Sequence, residues 1–463
     1  MRCGNRLALS SFRVAVIARP LVDRPAAFSE AKSCRAAPTW ILLAAGLALL
    51  AACRAPEPSA SASTPSAPPR PAADDPLQGK WRPSRAAAAG QTEATANVKA
   101  LPYLQGYRPA EDRPVVVEHD PEAAFQGLNL YVSGHAAEAV LMDMAGRTLH
   151  RWRYPLRRLW PALAADPEMA KLEYWRRAYL FPNGDLLAIY EGQGLVKLNA
   201  RSRVLWAYRG GIHHDLFVAA DGTIYTLDRE GKILPRINPT EGVLEDFVSV
   251  LSPSGRLLRK ISILKSFESS PYASLVRTMP RRKGDIFHTN TIEVLDGRFV
   301  GLNPAFRKGN LLISVFVLNT VAILDPDRQT IVWAKTVGWR HQHQPTFLDN
   351  GHLLVFDNLG AARDRSRVME IDVVTGSTVW QYGGGRDVDL FSKTLGSCQR
   401  LPNGNTLITE SENGRALEVT PAGRTVWEFY NPHRAGSHQE LVAVLFEMLR
   451  LPPDFPFRGR HGS

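Results

Sequence analysis

The chain has 463 residues and a formal net charge of +11, with 44% hydrophobic and 22% charged residues. Seven of its Lys and Arg residues precede Cys53 and are opposed there only by Asp23 and Glu30, so the rest of the chain carries about +6. Because the remaining arginines are scattered among predicted strands and form no basic stripe, the charge pattern excludes nucleic acid as a partner.

The N-terminal residues predict an export signal. Basic residues that include Arg13 and Arg35 precede an apolar run over 40–50, which is too short for a permanent membrane helix and typical of a signal h-region. The run closes on small residues before Cys53, as in bacterial lipoproteins that are lipidated on this cysteine. We therefore predict a signal region over 1–53 and a lipid anchor on Cys53 at the periplasmic face of the envelope. Arg54 favours the outer membrane.

Cysteine usage agrees with this compartment. Cys3 and Cys34 leave with the signal and Cys53 carries lipid, so Cys398 alone remains. One thiol forms neither an internal disulfide nor a cysteine-based metal site. The stretch over 54–112, rich in Pro, Ala and Ser at its start, predicts a linker between the anchor and the folded domain.

One pattern recurs along the remaining chain: an apolar strand, an Asn-Gly or Asp-Gly turn, a second strand, and a later strand that contains Trp. Five clear copies have their turn glycines at Gly184, Gly222, Gly297, Gly351 and Gly404. Each copy alternates apolar and polar residues with period two, which predicts a four-stranded antiparallel sheet. Several such sheets around an axis bury faces that one sheet cannot, so the repeat predicts an all-β fold, a β-propeller over 113–434.

A degenerate first copy lies around 137–154, and we expect its missing strand to come from elsewhere in the ring. This predicts six blades, with seven as the alternative. Two segments outside the repeat are predicted to be helical. One is an insertion over 156–175 with Asp166 and Pro167 as a start signal, and the other is a C-terminal helix within 435–463, begun by Ser437 with Glu440 in a capping-box pattern.

Three histidines occupy related positions in the repeat. Counting back from the turn glycines places His214, His288 and His343 at the start of the innermost strand of three consecutive blades. Innermost strands line the central channel, so we expect the imidazoles to converge near one mouth. Arg176 and Gly396 hold the equivalent positions in two other blades. A structural requirement would recur in every blade, so three histidines in adjacent blades favour a functional site.

The chemistry open to such a set is varied. A neutral imidazole attacks a sulfuryl or phosphoryl group, and a protonated one holds anionic oxygens. Three neutral imidazoles also form a zinc-binding face, so a metal-dependent hydrolase stays open as an alternative. Asp215 is expected to orient a ring in either case. The sequence contains no Gly-rich phosphate loop and no Gly-x-Ser-x-Gly elbow.

Five stretches carry a combination of motifs typical of one known family: His213–Asp215, Asp285–Asn290, Leu312–Val321, Gln342–Pro345 and Gly396–Ser411. They resemble the bacterial arylsulfotransferase family, whose members are propeller enzymes of the periplasm that move a sulfuryl group between phenols. The similarity extends from about 126 to 432.

The resemblance implies a mechanism in which a histidine is transiently sulfurylated, and His343 stands at that place. His214 and His288 fall where the family keeps further active-site histidines. The expected substrate-binding residues are Asp215, Asn290, Gln342, Arg176 and Phe316. A phenolic sulfate ester is then the donor and a phenol the acceptor, with no metal, no nucleotide sulfate donor and no other cofactor. A monomer and a homodimer are both compatible with the sequence.

Phe316 departs from the family pattern, because the alignment places it where the family has an arginine that holds the sulfate. A fixed guanidinium is usually worth several kcal/mol to a transferring anion. Arg176, Arg340 and Arg400 are candidates to replace it. The rival hypothesis is a non-catalytic envelope propeller that binds a small anion or a protein partner.

Overall fold

The computed structural model describes residues 81–83, 113–165, 172–280, 282–435 and 439–457. The predicted signal region, Cys53 and most of the predicted linker lie outside these residues. The strands in the first half of the chain are β1 (Trp81–Pro83), β2 (Val116–His119), β3 (Leu128–Ser133), β4 (Glu138–Met142), β5 (Thr148–Arg153), β6 (Trp175–Leu180), β7 (Leu186–Tyr190), β8 (Gly194–Leu198), β9 (Val204–Arg209), β10 (His213–Val218), β11 (Ile224–Leu234), β12 (Asn238–Leu251), β13 (Leu257–Ser262) and β14 (Gly284–Asp285).

The second half of the chain is also built almost entirely of strands. They are β15 (Thr289–Val294), β16 (Leu311–Val315), β17 (Thr320–Asp325), β18 (Thr330–Lys335), β19 (His343–Phe347), β20 (Leu353–Ala362), β21 (Arg365–Ile371), β22 (Thr378–Gly383), β23 (Ser397–Arg400), β24 (Thr406–Glu410), β25 (Arg415–Val419), β26 (Thr425–Tyr430), β27 (Arg434–Ala435), β28 (Leu441–Ala443) and β29 (Leu445–Leu451). Short helices interrupt the described strands at α1 (Leu156–Leu159), α2 (Pro161–Ala164), α3 (Ile263–Glu268) and α4 (Ala273–Arg277).

The strands form six antiparallel blades around a central channel, which confirms the six-bladed propeller. Blades 2 to 6 begin at their innermost strands β6, β10, β15, β19 and β23, and each continues outward through the next three strands. Blade 1 has the order β29, β3, β4, β5, so the last strand of the described chain fills the innermost place that the degenerate first copy lacks. The two ends of the domain therefore close the ring by pairing within one sheet.

The predicted C-terminal helix is wrong, because residues 441–443 and 445–451 form β28 and β29. An amphipathic helix needs a solvated polar face, whereas six of the seven residues of β29 are buried. Its two charged residues are paired inside the protein, Glu447 with Arg177 and Arg450 with Glu418. The propeller consequently extends to Leu451, beyond the predicted boundary at 434. Ser437 lies outside the described residues.

The predicted helical insertion is found in part. Helices α1 and α2 occupy 156–164, the predicted start signal at Asp166 and Pro167 lies outside the described residues, and Trp175 already belongs to β6. No helix in the described part of the chain is long and apolar enough to cross a membrane.

Strand β7 shows why the middle strands are apolar on both faces. Leu186, Ala188 and Tyr190 belong to the cluster shared with blade 1, while Leu187 and Ile189 face blade 3. Successive side chains of a strand point to opposite faces, so a strand covered on both sides needs apolar residues throughout. Six apolar clusters of this kind fill the six blade interfaces.

Recurring Trp residues join neighbouring blades. In four blades an indole Nε1–H from the outer part of the sheet donates to a backbone carbonyl in a turn of the following blade. The pairs are Trp152 with Gly184 at 3.0 Å, Trp206 with Pro253 at 3.1 Å, Trp380 with Pro421 at 2.8 Å, and Trp427 with Met144 at 2.9 Å.

Removing one of these hydrogen bonds is expected to destabilise the ring where the bond is buried. Trp427 is fully buried, so Trp427→Phe should lower the free energy of unfolding by about 1–3 kcal/mol, since the Met144 carbonyl is left unpaired. The matched variant Trp206→Phe should change it by less than about 0.5 kcal/mol, because Pro253 is exposed and water can pair with its carbonyl. Urea unfolding of both variants measures the difference, and equal losses would contradict this role of burial.

Candidate active site

Three histidines begin the innermost strands of blades 3, 4 and 5. His214 lies in β10, His288 immediately precedes β15, and His343 opens β19. Each strand has an irregular register at its start, and bulges of this kind redirect side chains. His214 and His288 also have left-handed backbones, with φ of 54° and 52°, a strained conformation that clusters at functional sites.

The imidazoles lie close together. The ring centroids of His214 and His288 are 4.6 Å apart. The ring of Phe316 connects this pair to His343, since its centroid is 5.0 Å from that of His288 and 5.7 Å from that of His343. The ring of His341 stacks on Phe316 at 4.1 Å. Three imidazoles therefore surround one phenyl ring, and His214 joins this cluster through His288.

The hydrogen bonds of His343 fix its tautomer. Its Nδ1 lies 2.8 Å from Asn358 Oδ1 and 3.0 Å from the carbonyl of His341. The amide of Asn358 cannot be reversed, because its Nδ2 donates to the carbonyls of Ser392 and Leu395 at 2.6 and 2.7 Å. Both neighbours of Nδ1 are acceptors, so Nδ1 carries the proton and Nε2 keeps a lone pair.

The Nε2 atom of His343 is buried and has no hydrogen-bond partner among the described residues. Burial, together with the positive charges of Arg176 and His288, lowers the pKa of His343 to about 3. The ring is consequently neutral at physiological pH, which is the form that attacks an electrophile.

His288 is paired with a carboxylate. Its Nδ1 lies 2.5 Å from Asp285 Oδ2, and its backbone N–H donates to Asp285 Oδ1 at 2.9 Å. Burial opposes ionisation of Asp285, but the hydrogen bond and charge of His288 hold the pKa of this carboxyl below its usual value. The side chain of His288 is 28% exposed. This arrangement suits a histidine that exchanges protons with solvent and substrate.

His214 belongs to a second, more deeply buried chain of groups. Its Nδ1 lies 2.8 Å from Nδ1 of His213, and Nε2 of His213 faces Asp246 Oδ1 at 3.9 Å. Burial and the charges of His288 and Arg176 hold the pKa of His214 well below its usual value. Burial and the charge of Asp285 raise the pKa of Asp246 to about 7. The ring of His214 is therefore neutral and acts toward a ligand as a hydrogen-bonding group.

Arg176 and Arg177 are adjacent in β6 and have different surroundings. Arg177 pairs with Asp215 at 2.9 Å and with Glu447. Arg176 is buried with its guanidinium 5.0 Å from the ring centroid of Phe446, and among the described residues no carboxylate oxygen lies within ion-pair distance of it. Since its charge lowers the pKa of both His214 and His343, Arg176 is a buried cation available to an anionic ligand.

Asp215 does not orient an imidazole, contrary to the expectation from its place beside His214. Its Oδ1 is paired with Arg177, and its two oxygens accept the backbone N–H groups of Leu216 and Ile292 at 2.8 and 3.0 Å. The left-handed backbone of His214 turns the two neighbouring side chains toward different partners. Asp215 therefore joins blades 2, 3 and 4 and holds the strands that carry the histidines.

Asn290 and Gln342 also hold together the strands that carry the histidines. Asn290 Nδ2 donates to the carbonyl of Gln342 at 2.9 Å, and Gln342 Nε2 donates to Ser314 Oγ at 3.1 Å and to the carbonyl of Thr320 at 3.2 Å. These bonds join blade 5 to blade 4 directly before His343. They support its position, and a direct role in substrate binding remains a prediction.

Two of the three arginines considered as replacements for the family arginine at position 316 do not fit this role. Arg400 is paired with Glu370 at 2.8 Å, and Arg340 is exposed. Sequence reasoning missed Asn358 and gave no role to Asp285 or His213. Asp285 and His213 stand within stretches that carry the family resemblance, but Asn358 lies in β20 outside these stretches, and only its contact with His343 reveals it.

The channel histidines are not brought together as metal ligands. Among the described residues, the group whose three ligand atoms lie within 4.8 Å of one another is His135, Glu138 and His433, which is distinct from the cluster around Phe316. The geometry in the channel thus suits a neutral nucleophile with hydrogen-bonding and cationic neighbours better than a zinc face.

Comparison with known proteins shows which family the chain resembles. A family profile described as arylsulfotransferase (ASST) matches residues 179–432, more than half of the chain, and this span includes His214, His288 and His343. A comparison with curated proteins found no significant match.

Solved structures with a similar fold were also found. They include a protein of unknown function from Bacteroides caccae, with 13% identity, a TM-score of 0.44 and coverage of 69% of this chain and 99% of that one. A streptogramin B lyase has 11% identity, a TM-score of 0.39 and coverage of 70% and 89%. The Dos1 propeller has 9% identity, a TM-score of 0.37 and coverage of 68% and 75%. At these identities the likeness concerns the fold alone.

Proposed function

Because the chain belongs to the arylsulfotransferase family, we propose that it moves a sulfuryl group from a phenolic sulfate ester to a phenol through a sulfohistidine at His343. The observation that carries this proposal is the hydrogen bonding of His343. Its Nδ1 proton is held by Asn358, while Nε2 is deprotonated and unpartnered among the described residues. A neutral imidazole held in this way is a preorganised nucleophile.

The reaction then has two steps. In the first, the lone pair of His343 Nε2 forms a bond to sulfur, the bond from sulfur to the aryl oxygen breaks, and the phenolate leaves with the electron pair. In the second, the oxygen of an acceptor phenol attacks sulfur, the bond from nitrogen to sulfur breaks, and the phenol proton passes to a base. His343 returns to its neutral form, so no external cofactor is required.

We assign Arg176 and His214 to stabilising the transferring group. The buried guanidinium of Arg176 has no carboxylate partner among the described residues, so its charge is available to the sulfuryl oxygens. It would replace the arginine that the family has at the position of Phe316. A cation and a hydrogen-bonding group fixed in a dry site stabilise developing charge more strongly than water does.

His288 suits the role of base for the acceptor. Asp285 holds its Nδ1, so its Nε2 is the nitrogen that takes the phenol proton. The ionised carboxylate stabilises the imidazolium that results, as in other pairs of histidine and carboxylate. Its partial exposure lets it return this proton to solvent before the next cycle.

Detecting the intermediate tests the proposal directly. The protein is incubated with 4-nitrophenyl sulfate and no acceptor, digested, and analysed by mass spectrometry. We expect one sulfuryl group per chain, on Nε2 of His343. Absence of the label from a folded protein that releases 4-nitrophenol would exclude the covalent route, and absence of both label and release would favour a binding propeller.

The pH dependence of labelling follows from the lowered pKa of His343. An ordinary histidine has a pKa of about 6.5, so the fraction of its neutral form falls about 30-fold by pH 5. With a pKa of about 3, His343 remains neutral over this interval. Because 4-nitrophenolate leaves without an acid, the single-turnover labelling rate should stay within about twofold from pH 8 to pH 5. A fall of tenfold or more in a folded protein would contradict this assignment.

A further inference from the structure

We propose that His135, Glu138 and His433 form a zinc-binding site at the junction where the propeller ring closes. His135 lies in the turn between β3 and β4, Glu138 is the first residue of β4, and His433 follows β26 of blade 6. The three residues therefore come from the first and the last blade. The site is separate from the channel histidines and does not depend on the proposed sulfuryl transfer.

The ligand atoms are already gathered. One ligand atom from each residue lies within 4.8 Å of the other two, and His135 Nε2 is 3.4 Å from Glu138 Oε1. The two imidazole rings are stacked with centroids 3.3 Å apart and an interplanar angle of 9°. Two imidazoles and one carboxylate are a ligand set that binds Zn²⁺ and leaves a fourth position for water.

The hydrogen bonds around the site leave the ligand atoms available. His135 Nδ1 has Ser133 Oγ as a partner at 3.1 Å, so its Nε2 is the nitrogen that faces the carboxylate. His433 Nε2 is buried without a hydrogen-bond partner in the described structure. An unpaired buried nitrogen is unfavourable, and a bound cation would supply the missing partner.

Arg151 is the one described cation that touches the carboxylate. Its Nη1 lies 2.5 Å from Glu138 Oε1, and its side chain is 45% exposed. His135 Nε2 faces this same oxygen, so a metal at the site either binds the other oxygen, Oε2, or displaces Arg151 from Oε1. A carboxylate commonly binds a metal through one oxygen while a neighbouring group holds the other. Arg151 also contacts Thr148 and reaches solvent, so it can keep one oxygen of Glu138 or move away when the cation enters.

Zinc at this place would tie the turn of blade 1 to the segment that leaves blade 6. This segment precedes β29, whose pairing with β3 closes the ring. A ligand that binds the folded state alone stabilises it, so zinc should raise the melting temperature of the full chain by a few degrees.

The test is isothermal titration of EDTA-treated full chain with ZnCl₂, together with thermal unfolding. We expect one Zn²⁺ per chain with micromolar or tighter affinity, and at least tenfold weaker binding by His433→Ala and Glu138→Gln. His135→Gln, in the turn between β3 and β4, serves as a further variant if either of these fails to fold. The thermal shift with zinc should disappear in the same variants.

His352 provides a matched control. It contacts Glu370 at 2.8 Å, and Glu370 contacts Arg400, so the arrangement of histidine, glutamate and arginine is repeated without a second imidazole. His352→Ala should bind zinc like the parent. Absence of binding at 100 µM zinc would overturn the proposal. Binding that survives His433→Ala and disappears in His343→Ala would also overturn it, since the zinc would then occupy the channel.

Discussion

Replacing His343 by alanine is expected to abolish both sulfuryl transfer and labelling, with a loss in kcat on the order of 10³-fold or more. The reason is that a covalent route has no bypass when its nucleophile is missing. His214 and His288 are assigned to holding charge and to moving the acceptor proton, so neither is expected to replace the missing bond to sulfur. Release of 4-nitrophenol and the mass of the 343 peptide measure the two losses.

Controls must separate loss of the nucleophile from loss of the fold. His343 is buried, so alanine leaves the Asn358 oxygen unpaired and is expected to cost about 1–3 kcal/mol of stability. His343→Asn retains a donor near the position of Nδ1. It should be as inactive as His343→Ala but should lose less stability. His288→Ala should slow turnover about 10²-fold to 10⁴-fold but still become labelled. Undiminished labelling of His343→Ala would remove His343 from the mechanism.

The architecture could be predicted because it depends on local patterns that repeat. Turn glycines such as Gly184 and the alternation within β7 are dictated by backbone geometry and by burial on two faces. The C-terminal strand could not be predicted in the same way. Residues 445–451 carry apolar residues at spacings that fit a helix, and only the unfilled place in blade 1 makes them a strand.

The candidate site could also be predicted only in part from the sequence. The positions of His214, His288 and His343 followed from their register in the repeat. Their partners did not, because Asn358 comes from another strand, His214 reaches Asp246 only through His213, and side-chain direction at a bulge is not visible in the sequence. Asp215 illustrates the difference, since its neighbour in sequence is His214 while its partner in space is Arg177.

Replacing Arg176 by glutamine is expected to lower kcat by about 10²-fold to 10³-fold, the usual effect of removing one group that stabilises a transition-state charge. Arg400→Gln should leave turnover unchanged, since Arg400 is engaged by Glu370 away from the channel. Arg176→Lys should recover part of the rate, because it keeps the charge but loses the planar fork of donors. Full activity of Arg176→Gln would mean that another group holds the sulfuryl oxygens.

The free energy of unfolding should show whether Arg176 binds the anion or supports the fold. A buried guanidinium without a carboxylate partner is costly to fold, so Arg176→Gln should leave the free energy of unfolding unchanged or raise it while activity falls. The adjacent variant Arg177→Gln should do the opposite, because it leaves Asp215 and Glu447 buried without their cation and should cost about 3–5 kcal/mol. Urea unfolding of the two variants measures this contrast. A destabilised Arg176→Gln protein would show that Arg176 has a structural partner, whereas a stable and inactive one is the result expected of a residue kept for binding an anion.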